Sequence, residues 1–152
     1  ISLKCYDPSF NRSFFGRLNL FLNGIKGNYS NKFVGSKDDQ KNISLKMIIE
    51  SLPDNSYPLI KCDIEGNEYD LLINSIDELI NKDFCLFLEF HERIMREELN
   101  LEPNNIKELL FKHNFNVIEL NHRTHRKEIK NNINYELIIT PPNSKIDLSF
   151  FT

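Results

Sequence analysis

No apolar run in this chain approaches the roughly 20 residues needed to cross a bilayer. Lys, Asp, Glu or Asn interrupts every stretch within a few positions, so no membrane span is expected. An excess of positive charge is lacking too: 19 Lys and Arg stand against 22 Asp and Glu, for a net charge of −3. No global field then draws nucleic acid to the surface, and nucleic acid is not an expected partner. Cysteine is scarce and odd in number. Cys5, Cys62 and Cys85 each lie inside an apolar, strand-like run, which reads as buried, reduced thiols in a cytoplasmic protein rather than as a disulfide framework. Internal repeats, low-complexity tracts and linkers are missing as well, so the 152 residues read as one domain. Residues 1–143 are expected to form it, with 144–152 as a C-terminal tail. Ile1 stands where an initiator methionine would, and the chain is expected to be a segment of a longer protein.

What is present is a core-forming composition, 40% hydrophobic with 12 Phe, arranged as alternating strand and helix patterns. Residues 2–6 alternate like a strand and stop at Asp7-Pro8; Phe14, Leu18, Phe21, Leu22 and Ile25 then recur at helical spacing. Phe14, Phe15, Phe21 and Phe84 are expected in the core. Residues 32–34 suit a short strand and 35–42 a polar loop, after which Leu45, Ile48, Ile49 and Leu52 form a helical stripe. Residues 58–62 read as a strand and 68–79 as a helix. Residues 84–91 are almost wholly apolar until Glu89 and His91, the pattern of a parallel strand covered on both faces. Pro103 opens a further helix, and 115–120 and 135–140 read as strands that pair antiparallel. The order implies an α/β fold, a mostly parallel sheet with an antiparallel C-terminal strand pair.

The chemistry concentrates where the strand 58–62 runs into a helix. Asp63, Glu65 and Glu68 crowd around Gly66 at what should be the carboxyl end of a sheet, where open α/β folds place ligands. Glu89 and His91 end the neighbouring strand and, being two apart, share a face. Asp63 with Glu65, or Asp63 with Glu89 and His91, could hold a divalent metal, Asp63 and Glu89 being the first candidates; Asp63, Glu65, Glu89 and His91 are candidates to orient a hydroxyl or take its proton. Each has a plainer role open to it. Asp63 can cap the turn, Glu65 and Glu68 can complement a helix N-terminus, and His91 can be a hydrogen-bonded histidine at a strand exit. The basic run His122, Arg123, Thr124, His125, Arg126 and Lys127 suits a phosphate-bearing acceptor or a solvated loop.

Lys61-Cys62-Asp63-Ile64-Glu65-Gly66-Asn67-Glu68 resembles the K-x-D-x-E-G-x-E signature of the FkbM family of S-adenosylmethionine-dependent methyltransferases. Ile43-Ser44-Leu45-Lys46-Met47-Ile48-Ile49 is similar to the segment that precedes that strand in the family, and Leu86-Phe87-Leu88-Glu89-Phe90-His91 to its following strand ending in E-x-H. Tyr6-Asp7-Pro8 resembles the family's acidic corner, with Asp where Glu is more usual. The likeness implies a Rossmann-like class I methyltransferase sheet and methyl transfer to a hydroxyl of a sugar or other small metabolite. It also implies roles: Asp7 on the cofactor's ribose, Gly35 and Ser36 near its adenine, Asp63 beside both cofactor and acceptor, and Glu65, Glu89 and His91 around the acceptor. The plainer role for Asp7, before Pro8, is to cap the next helix. One feature departs from the family: no first strand with its glycine-rich turn is found in these residues. A non-catalytic methyltransferase-like binding domain and a metal-dependent hydrolase are the alternative readings.

Overall fold

The computed structural model of the chain describes residues 3–120 and 134–148. The basic run 122–127 and Phe150-Phe151 lie outside the described residues. Strand β1 (Leu3–Tyr6) leads through helix α1 (Phe10–Leu22) to β2 (Gly27–Ser30), which returns parallel to β1 with Leu3 opposite Gly27. The crossover is closed by two polar devices. Ser9 caps α1, and Arg17 on its inner side donates to the Tyr29 carbonyl and to Asn31 Oδ1, each at 3.0 Å. Strands β3 (Phe33–Gly35) and β4 (Asn42–Ser44) form a second parallel pair. The polar loop between them is held by Asp38, which accepts from the amide and hydroxyl of Ser44, and by Asp39, which accepts from the Lys41 and Asn42 amides. Those bonds, led by the Asn42 side chain, hold the Asp39 carboxyl below its ordinary range.

Ser44 also caps α2 (Leu45–Glu50), accepting from the Met47 amide. There follow β5 (Leu59–Cys62), α3 (Glu68–Ile73), α4 (Ile76–Leu79), β6 (Cys85–His91), α5 (Glu92–Glu97), α6 (Asn104–Lys112), β7 (Asn116–Leu120) and β8 (Asn134–Thr140). The largest sheet runs β5-β6-β8-β7, with β5 parallel to β6 and β8 antiparallel to both its neighbours. The architecture is thus mixed α/β with small sheets, one of them combining parallel and antiparallel pairs. The expected C-terminal antiparallel pair is there, and β6 is the central apolar strand that its composition implied.

Several elements differ from the sequence reading. The helix expected over 68–79 breaks into α3 and α4 at Asn74, whose side chain bonds back to the Asp70 carbonyl at 2.8 Å and competes with the helical ladder. Strands β2 and β4 and helix α5 are additional; all are three to six residues long, too short to show a period. Among the described residues the strands form three sheets, not one continuous sheet.

The core lies on one face of β6 and β8. Leu86, Leu88 and Phe90 project there with Leu137 and Ile139, and Leu45, Leu71, Leu72, Leu79, Met95, Ile106 and Leu110 cover them from the helices. Of the four aromatics expected inside, only Phe84 is buried; Phe14, Phe15 and Phe21 are exposed, Phe21 to 80%. The reason is which side of α1 meets its sheet. Gly16 is so close to Tyr29 that a Cβ would lie 2.2 Å from the ring, so the helix packs through Ser13 and Gly16 and turns its apolar stripe outward. Phe84→Ala should therefore cost about 3–5 kcal/mol in urea unfolding, whereas Phe21→Ala should stay within about 0.5 kcal/mol of the parent.

Candidate functional site

Two parallel strands carry the polar groups, with β6 running on past the end of β5. The register sets Cys62 opposite Leu88, so Asp63, just past the end of β5, comes beside Glu89, which is still paired with Glu136 of β8, and His91 lies two positions further on the same face of β6. One ligand atom each from Asp63, Glu89 and His91 lies within 4.8 Å of the other two. His91 Nε2 is 3.7 Å from Asp63 Oδ1 and 3.8 Å from Glu89 Oε1. Lys61 Nζ stands 3.3 Å from the other Asp63 oxygen, on the solvent side.

Behind these groups lies a buried anchor. Glu68, in the first turn of α3, is 0% exposed; its carboxylate accepts from the Gly66 amide at 2.8 Å and the Ile64 amide at 3.3 Å. Its Oε1 is also 2.7 Å from His91 Nδ1. Because the Glu68 carboxylate already accepts from two amides, the geometry favours the tautomer in which Nδ1–H donates to it, which leaves Nε2 facing Asp63 and Glu89. In the sequence, Glu68 reads at least as well as an acid complementing the helix N-terminus as it does as a site residue. Its signal was the second acid of the E-G-x-E spacing, two positions after a glycine that can aim its amide inward.

The turn is built for that bond. Glu65 and Gly66 both have positive φ, 51° and 98°, and together they swing the Gly66 amide toward Glu68. A Cβ on Gly66 would lie 2.7 Å from Ile94 Cγ2 and 3.1 Å from Leu99 Cδ1, so α5 closes directly over the bare glycine. Glu65 itself is exposed. It stands in the turn beside the cluster without a bond to it among the described residues.

The remaining expected site residues lie on the other two sheets. Asp7 follows β1, and its Oδ1 accepts from the Ser9 amide at 2.7 Å while Oδ2 lies 3.6 Å from the exposed Arg12 guanidinium. Ser9, not Asp7, caps the helix; Asp7 braces the turn before it, and its Oδ2 faces Arg12 without a hydrogen bond among the described residues. Gly35 is buried at the end of β3 opposite Ser44, and Ser36 follows it into the loop. Among the cysteines, none forms a disulfide; Cys5 is half-buried, and Cys62, beneath the cluster, has its thiol pushed up to about 12 by burial and by the nearby Glu68 and Asp63 charges. It is a protonated, inert thiol at neutral pH.

A scan against protein-family models finds no match to this chain, and searches of curated proteins and of solved structures find none either.

Two outcomes test this geometry. Gly66→Ala meets both a positive φ and the Ile94 methyl, so it should destabilise by more than about 1 kcal/mol in denaturant unfolding. Cys62 should stay unreactive toward a thiol reagent in the native protein at pH 8. Because its folded pKa lies above the unfolded one, the native state holds the extra proton. Stability should therefore fall as pH rises from about 9 toward 12, visible as a declining denaturation midpoint.

Proposed function

We propose that this chain is a Rossmann-like, S-adenosylmethionine-dependent O-methyltransferase domain of the FkbM type, acting on a hydroxyl of a sugar or other small metabolite. The observation that carries the reading is the convergence of Asp63, Glu89 and His91 at the carboxyl ends of two parallel strands. That is where an α/β sheet opens to ligands, and the groups are those an acceptor hydroxyl needs. The parallel β5-β6 pair flanked by the antiparallel β8 and β7 supports the fold assignment.

The fit to the cofactor rests on the nucleoside end. Asp7 would hold the ribose through Oδ2, displacing its ion pair with the exposed Arg12, and the Gly35-Ser36 corner would lie beside the adenine. The cofactor, when bound, supplies a methyl group on a positively charged sulfur. The chain's own residues do the rest. Asp63 and Glu89 accept hydrogen bonds from the acceptor's hydroxyls and fix their orientation, which is worth several kcal/mol of association entropy in a displacement that needs an aligned nucleophile. When the oxygen takes the methyl group, the carbon–sulfur bond would break to leave a neutral thioether, and the hydroxyl proton would pass to the cluster, where two carboxylates and one imidazole are available to receive it. Glu68 holds the imidazole still while this happens. A metal-dependent hydrolase is the second reading, because the same cluster has ligating atoms; hydrolysis of a phosphate ester by the purified protein would favour it.

Calorimetric titration of the complete protein with S-adenosylmethionine tests the first reading. Saturable binding in the micromolar range is expected, and Asp7→Asn should weaken it by roughly 10- to 100-fold, the loss of one charge-assisted hydrogen bond. Absence of heat at about 1 mM ligand, where binding would be worth only about 4 kcal/mol, overturns the proposal.

A further inference from the structure

His91 presents a second problem that an acceptor hydroxyl alone does not solve. Its side chain is only 7% exposed, and Nδ1 is committed to Glu68. Nε2 has no hydrogen bond among the described residues: the nearest acidic oxygens stand at 3.7 and 3.8 Å, beyond hydrogen-bond reach but converging on the same point. A polar atom of a buried ring is thus aimed at a gap between two carboxylates.

We infer that Asp63, Glu89 and His91 bind one divalent transition-metal cation, with Glu68 as the group that orients the imidazole. Ligand bonds of about 2.0–2.2 Å place two donors on one ion at most roughly 4.4 Å apart, so the two distances from Nε2 fit a shared ion with the backbone where it stands. The third separation, within 4.8 Å, closes by rotation of the Asp63 side chain, which is 42% exposed. Lys61 meets Oδ2 and leaves Oδ1 on the His91 side.

The surrounding charge points the same way. Three carboxylates, Asp63, Glu68 and Glu89, surround one imidazole, and Glu68 has no access to water. A cation between them lowers the repulsion. The hydrogen bond from ligating imidazole to buried carboxylate is the usual arrangement behind a metal-bound histidine, because it fixes the tautomer and raises the basicity of the ligating nitrogen. Two oxygens and one nitrogen suit Mn²⁺ or Zn²⁺ better than Ca²⁺ or Mg²⁺, which favour all-oxygen shells. Three protein ligands leave positions open for a hydroxylated ligand, as catalytic metal sites do. This deepens the reading above by naming what would receive the acceptor's oxygen, but cation binding can be tested apart from methyl transfer.

The experiment is titration of the complete protein with Mn²⁺, followed by the paramagnetic resonance signal of the free ion. Uptake of one ion per chain with micromolar affinity is expected, weakened at least tenfold in Asp63→Asn and in Glu89→Gln. Both change partly exposed carboxylates with little effect on volume, and circular dichroism checks that the variants fold. Glu68→Gln should weaken binding by roughly 10- to 100-fold without removing a ligand. No saturable uptake up to about 1 mM, or unchanged affinity in both ligand variants, overturns the inference. Mn²⁺ uptake without S-adenosylmethionine binding would keep this site and sink the methyltransferase reading; the reverse pattern would do the opposite.

Discussion

The carboxylate of Glu68 is the constraint on which the candidate site depends. Burying an ionised acid costs several kcal/mol unless its oxygens are satisfied, and here two turn amides and an imidazole nitrogen do so, at 3.3, 2.8 and 2.7 Å. Each bond fixes something different. The bonds to Ile64 and Gly66 lock the turn that starts at Asp63 and so hold the Asp63 backbone. The bond to Nδ1 locks the ring of His91 at the far end of β6. One buried group therefore couples the ends of two strands and the start of a helix, and its satisfaction requires all three to be in place.

Gly66 shows how sequence and packing enforce that coupling. Its φ of 98° aims the amide inward, and its lack of a side chain lets Ile94 of α5 close over it. Because α5 begins immediately after His91, the helix that shields the turn is tethered to the residue the turn positions. Glu65, held at φ 51°, carries a conformation that costs an L-residue about 1–2 kcal/mol. The bonds to Glu68 and the packing of α5 are what offset it.

Much of this was legible in the residues, and the parts that were not have physical reasons. The apolar run ending in Glu89 and His91 identifies β6, and parallel pairing with β5 follows from the helix-length segment between them, so the meeting of Asp63, Glu89 and His91 could be anticipated. Burial of Glu68 could not: an acid in a first helical turn ordinarily faces water, and only its partners, distant in sequence, reveal otherwise. Asp7 likewise had two readings, and the structure matches neither outright: Ser9 caps the helix, while Asp7 holds the Ser9 amide with one oxygen and faces Arg12 with the other. The stripe of Phe14, Leu18, Phe21 and Leu22 misled for a third reason. Periodicity reports that a helix has an apolar side, not that something among the described residues covers it; Gly16 against Tyr29 decided which side went inward.

Burial also grades across the site and assigns its labour. Glu68 is fully enclosed, His91 nearly so, Glu89 is 19% exposed and Asp63 42%. Among the described residues the way to the imidazole runs past Asp63 and Glu89, so a ligand meets the more exposed carboxylates first and the buried ring last. Groups at the rim can adjust to what arrives, at the cost of ordering their side chains. The back wall cannot adjust, because moving His91 would strip a buried carboxylate of its closest partner. Such a wall selects for whatever satisfies Nε2 at one position in space, and this directional demand, more than the number of acids nearby, separates the cluster from an ordinary charged strand end.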